Sequence, residues 1–145
     1  MKSKYFKIQE LVSRKVYEKY GNSAWGFIDE RLIITIDSLR EFFGEPITVN
    51  NWLWGGSLQQ RGLRANCDDI VKENTINDTL YVSQHTLGRA VDFNIKDYSV
   101  KEVYDTILNN KEKFPYIKRI ENINSTPTWV HIDLSNTGKE DIVIF

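Results

Sequence analysis

The chain has only two histidines, His85 and His131, and each stands in a short phrase with a carboxylate close by. The first phrase runs Ser83-Gln84-His85-Thr86-Leu87-Gly88-Arg89-Ala90-Val91-Asp92-Phe93. The second runs Thr128-Trp129-Val130-His131-Ile132-Asp133. Neutral imidazole is the commonest protein ligand for zinc, and carboxylates complete many zinc sites. If the two phrases meet in space, His85, Asp92 and His131 supply three ligands and leave a fourth position for water. That arrangement is typical of a catalytic rather than a structural metal. A single His-x-Asp phrase is common by chance and usually marks a surface or hydrogen-bonded residue. Here the two phrases together use every histidine in the chain.

The residues around these groups indicate what must hold them. Asp92 alternates with Val91 and Phe93, so on a strand those neighbours face a core while Asp92 points to the other surface. Gly88 permits a tight turn, and the small Ala90 leaves room beside Asp92. Trp129, His131 and Asp133 share one face at a spacing of two, with Val130, Ile132 and Leu134 on the apolar face. Pairing the two strands would set an imidazole beside a carboxylate, and His85 would reach in from a turn between strands at Thr79–Val82 and Ala90–Ile95.

Elsewhere, Ile8, Leu11, Val12 and Val16 predict a helix over 6–20 stopped by Gly21. Leu32, Ile36, Leu39 and Phe43 predict a second from about Asp29, ended by Gly44 and Pro46. A short strand at Ile47–Val49 leads to a glycine loop, Trp54–Ser57, and to Arg61-Gly62-Leu63-Arg64. Residues 65–78 are polar and read as irregular. Ser99 and Glu102 form a capping box that opens a helix to about residue 113. Strands follow at 117–120, 128–134 and 142–145. The order points to an α+β fold, a small antiparallel sheet with flanking helices.

At 145 residues, with 41% hydrophobic and 27% charged side chains, the length and composition suit one globular domain spanning 1–145. The net charge of −1 gives no pull toward nucleic acid or an anionic membrane. The lone cysteine, Cys67, excludes an intrachain disulfide and a cysteine-rich zinc site, and it reads as a bystander. No stretch reaches the ~18 apolar residues of a membrane span, so no membrane insertion is expected. The basic start, Met1–Lys7, lacks a following apolar segment, so the expectation is cytoplasmic synthesis without a signal peptide.

The phrase Ser83-x-His85-x-x-Gly88-x-Ala90-x-Asp92, followed by Trp129-x-His131, resembles the peptidase M15 family. This family includes zinc D-Ala-D-Ala carboxypeptidases and phage endolysins. The Val-His-Ile-Asp form is similar to the branch found in phage and prophage proteins. The resemblance covers about residues 47–135, and the N-terminal helices at 6–44 are assigned by adjacency alone. It implies a hedgehog/DD-peptidase-like fold, one Zn2+ per chain on His85, Asp92 and His131, and hydrolysis of peptidoglycan peptides after release or as a virion component. In such a mechanism the metal acidifies a water and polarises the scissile carbonyl, and a carboxylate shuttles the proton. The family also places an arginine before the first motif to bind substrate or its developing oxyanion. Arg64 fits that place best, and Arg61 is the reserve.

One position departs from the family pattern. Many members carry the catalytic Glu or Asp three residues before the second histidine, where this chain has Thr128. Asp133, on the face of His131, is the replacement expected to act as base. Its other possible role is to orient the ligand histidine. The competing functional reading is a non-catalytic zinc-stabilised binding or structural module, and a third is a zinc peptidase or amidase with a non-wall substrate. Trp52, Trp54 and Trp129 are candidates for lining a substrate groove.

Overall fold

Each helix is bracketed by the residues that stop its backbone from running on. The computed structural model describes residues 1–145. Helix α1 (Arg14–Tyr20) begins where the Ser13 hydroxyl accepts from the Val16 amide, and it ends at Gly21. Helix α2 (Glu30–Phe43) is capped by Asp29 and ends at Gly44 in the left-handed conformation. Strand β1 (Ile47–Thr48), a short helix α3 (Asp69–Asn74) and strand β2 (Ala90–Ile95) follow. Then come α4 (Val100–Asn109), opened by the expected Ser99–Glu102 capping box, and strands β3 (Arg119–Ile120), β4 (Val130–Asp133) and β5 (Val143–Ile144).

The five strands lie in the order β1-β2-β4-β3-β5. All neighbours are antiparallel except β5, which runs parallel to β3. The sheet is therefore mixed, where a purely antiparallel one was expected. The chain turns once after β4 and passes β3 before pairing, so it lands on the outer edge in the direction of β3. One face of β2 and β4 (Val91, Phe93, Val130, Ile132) joins a single cluster of 27 buried apolar residues. That cluster also holds Leu32, Ile33, Ile36 and Leu39 of α2 and Val103 and Ile107 of α4. The opposite face carries the polar residues.

Three further expectations are corrected. Thr79–Val82 is not a strand: it pairs with nothing, and Leu80 is 86% exposed. The helix over 6–20 is split into a 3-10 turn (Ile8–Glu10) and α1. Tertiary partners take the carbonyls in between, with the Leu63 amide donating to Leu11 (2.8 Å) and the Trp52 indole to Val12 (2.8 Å). Residues 65–78 are not wholly irregular, because α3 lies within them.

The N-terminal part is locked against the loops that bear the motifs. Gly88 has φ +67°, and a Cβ there would lie 2.0 Å from the Phe27 carbonyl oxygen. The Gly88 carbonyl in turn accepts from the Asp29 amide at 3.0 Å. Gly138 has the same φ with nothing within 4 Å. Gly138→Ala should therefore cost only the backbone strain of about 1–2 kcal/mol. Gly88→Ala should cost clearly more in a urea or thermal unfolding comparison, and equal costs would show that the close approach to Phe27 is not tight.

Candidate metal centre

The register between β2 and β4 pairs Asp92 with His131 and Ala90 with Asp133. Residues directly opposite on one face lie within reach of each other, so the Asp92 carboxylate meets the His131 ring, with Oδ1 2.7 Å from Nδ1. His85 enters from the turn before β2. There Ser83 and Thr86 cap each other, the Ser83 amide donating to the Thr86 hydroxyl (3.0 Å) and the Thr86 amide to the Ser83 hydroxyl (3.3 Å). The turn holds His85 Nε2 3.3 Å from His131 Nδ1 and 3.4 Å from Asp92 Oδ1. All three side chains are buried.

Each ligand's remaining polar atom is already committed elsewhere. His85 Nδ1–H donates to the Gly62 carbonyl at 2.8 Å, which leaves the Nε2 lone pair facing the cluster. Gly62 itself is pressed onto the N-terminal segment, where a Cβ would lie 2.2 Å from the Leu11 oxygen. His131 Nε2–H donates to Asp133 Oδ2 at 3.3 Å, leaving Nδ1 as the inward atom. Asp133 is fully buried and accepts from Arg119 through Nε (3.0 Å) and Nη2 (2.7 Å), and from the Ser135 amide. Asp92 gives its outer oxygen, Oδ2, to Arg64 Nη2 at 3.0 Å. Such outer partners fix the tautomer and orientation of a metal ligand.

The electrostatics follow from these contacts. Burial alone raises the Asp92 carboxyl, but the hydrogen bond from His131 and the close approach of the two imidazoles override it and hold the group well below the ordinary carboxylate range. Burial likewise disfavours a charged His131, yet its bonds to Asp133 and Asp92 reverse this and raise it from 6.5 to about 9. For Asp133, burial is again outweighed, here by His131 and Arg119, and its carboxyl is held low.

The donor set fits a small divalent cation. Two ligands at about 2.0–2.1 Å from a tetrahedral zinc lie about 3.3–3.4 Å apart. The two His85 separations already have that value, while the 2.7 Å His131–Asp92 contact must open to admit an ion. Two imidazole nitrogens and one carboxylate oxygen form a common zinc set. A buried His85-Asp92-His131 group that can hold a metal ion is thus present.

Not every expected residue takes its expected place. Asp133 meets the His131 ring at Nε2, away from the inward Nδ1, and is tied to Arg119. Arg64 spends Nε on the Gln60 carbonyl (2.6 Å) and Nη2 on Asp92, so two of its donor nitrogens position the site. Arg61 is held by Asn94 (2.7 Å) over the Trp129 ring. Arg61, Arg64, Trp129 and Asp92 line a cavity of about 300 Å³ beside the cluster, and Asp92 is its only carboxylate. Trp52 is buried, Trp54 does not line that cavity, and Thr128 is exposed. Cys67 lies apart from the cluster. Sequence reasoning missed the Gly62 carbonyl, Asn94 and Arg119. Of these only Arg119 left a signal, as a cation beside Lys118 within the short strand expected at 117–120.

No protein-family model, curated protein or solved structure matches the chain.

Two outcomes follow from the hydrogen bonds. Asp133→Asn should bind zinc about 10–100-fold more weakly in a competition titration while keeping one site per chain. An unchanged affinity would remove Asp133 from the ring's support. In the metal-free protein, the folded His131 value of about 9 exceeds its unfolded 6.5, so its stabilisation is present below about pH 6.5 and lost as pH rises through 9. The thermal midpoint should therefore fall across that window without zinc, and zinc affinity should rise about tenfold per pH unit as the Nδ1 proton becomes easier to displace. A flat zinc affinity over the same range would contradict the bound proton.

Proposed function

We propose that the chain is a zinc-dependent peptidase of the peptidase M15 type, on a hedgehog/DD-peptidase-like fold, that cleaves peptide bonds of bacterial peptidoglycan stem peptides. The observation that carries this reading is the convergence of His85 Nε2, His131 Nδ1 and Asp92 Oδ1 beside a cavity with two arginines. A zinc ion held there would supply a Lewis acid that polarises a carbonyl and lowers the pKa of water. Arg61 is the group that meets a substrate carbonyl or carboxylate, because Asn94 fixes one of its terminal nitrogens and leaves the other free. Trp129 offers its ring to the peptide, and Arg64 keeps the Asp92 carboxylate turned so that Oδ1 faces inward. A phage or prophage origin, with release to the wall or carriage in a virion, suits the same reading.

The competing reading, a zinc-stabilised module without hydrolysis, is favoured by one feature: no carboxylate faces the cluster in the place of a base, since Asp133 is turned away and Thr128 has none. General-base assistance is typically worth 10²–10⁴-fold, so an enzyme lacking it would be slow.

Incubation with purified cell walls, read as released amino groups, separates the two. The peptidase reading predicts release that chelator abolishes and zinc restores. It also predicts that Arg61→Ala lowers kcat/KM at least tenfold with zinc content unchanged. Stoichiometric zinc without any release would establish the module instead.

A further inference from the structure

A second cavity, of about 380 Å³, lies apart from the metal cluster and shares no lining residue with it. It falls within the range of small-molecule sites. Four cations converge on it from four parts of the chain: Arg31 at the start of α2, Arg89 just before β2, Lys118 just before β3, and Lys139 in the loop after β4. None of its lining residues is acidic. In a chain whose acidic residues outnumber its basic ones, 20 to 19, this is a local excess that the overall charge does not explain.

The cations are only partly neutralised. Asp29 pairs with Arg31 (2.6 Å) and reaches Arg89 Nε (3.2 Å), which leaves the two terminal nitrogens of Arg89 without a protein acceptor. Lys118 and Lys139 have no carboxylate within 4.0 Å. Convergent like charges are unfavourable unless an anion joins them.

The neutral groups point the same way. The Asn136 side-chain oxygen accepts from the Gly138 amide (3.2 Å), and the Thr137 hydroxyl oxygen accepts from the Lys139 amide (3.2 Å). Each oxygen thus accepts one bond from the loop itself, while the Asn136 NH2 and the Thr137 O–H donate to no protein group. Cations and neutral groups alike present donors.

We propose that this cavity binds a phosphate group, carried either by a polyol-phosphate polymer of the kind that decorates cell walls or by a small phosphorylated molecule. Four cations less one carboxylate leave a formal +3, more than a single carboxylate would balance and enough for one doubly charged phosphate monoester or for successive singly charged phosphodiesters of a polymer. Arginine and lysine together supply fork and point-charge contacts to phosphate oxygens. Phosphate binding itself does not depend on the peptidase reading, whereas the wall-polymer source rests on it.

The test is an amide NMR titration of the full chain with inorganic phosphate, with acetate at matched ionic strength as control. Saturable shifts at Arg31, Arg89, Lys118 and residues 136–139 that acetate does not produce are expected. Lys118→Gln/Lys139→Gln should weaken phosphate binding at least tenfold, and the exposed Lys139→Gln alone should weaken it severalfold if the double variant fails to fold. Non-saturating shifts, shifts matched by acetate, or an affinity unmoved by these variants would overturn the site. Oligomeric glycerol phosphate separates the sources: tighter binding per phosphate than inorganic phosphate favours the polymer, and equal binding favours the small molecule.

Discussion

The pairing of β2 with β4 fixes Asp92 opposite His131, and the rest of the site is arranged around that register. Strand side chains alternate with a period of two, so a slip of either strand by one residue would send its ligand, Asp92 or His131, into the apolar core and bring Val91 or Ile132 out. The core forbids this, because Val91, Phe93, Val130 and Ile132 are all buried on the other face. Hydrophobic burial therefore positions the ligands as a consequence of positioning the core. His85 is then brought to them by a turn braced on two sides, by Phe27–Asp29 at Gly88 and by Gly62 at the ring itself. The N-terminal helices, which carry no motif, thus belong to the scaffold of the site.

Burying two carboxylates, two imidazoles and their arginine partners in one small region is costly. Replacing buried ionic networks with apolar side chains is often neutral or stabilising. Asp92, Asp133, Arg64 and Arg119 nevertheless hold one another and the two imidazoles in a single bonded network. The network has two ways to balance its charge: a proton on His131, shared between Asp92 and Asp133, or a cation in place of the Nδ1 proton. Arg119 secures the outer side by gripping Asp133 while its guanidinium rests 4.1 Å from the Phe145 ring centre. That same ring meets His131 edge-on.

What the sequence makes legible is whatever follows from short-range periodicity. Ala90–Ile95 is a strand residue for residue, and the shared face of His131 and Asp133 follows from spacing alone. The capping box at Ser99 and the stop at Gly44 are local chemistry and are found where expected. Legibility ends where partners are distant. Thr79–Val82 has strand composition but no strand to pair with, and the break at Leu11–Ser13 depends on acceptors taken by Leu63 and Trp52. Asp133 is the sharpest case: alternation gives its face, but only the neighbouring Arg119 determines that its carboxylate meets the outer edge of the His131 ring. The parallel edge strand β5 escapes local reading for the same reason, since its partner is set by how the chain returns after β4.

With two histidines there are only four ring nitrogens, so 15N-histidine NMR during a zinc titration observes the centre directly. At one equivalent of zinc, His85 Nε2 and His131 Nδ1 should move to metal-bound positions, while His85 Nδ1 and His131 Nε2 remain protonated and bonded to Gly62 and Asp133. Ring nitrogens that do not respond at one equivalent, or coordination through His131 Nε2, would contradict the centre described here.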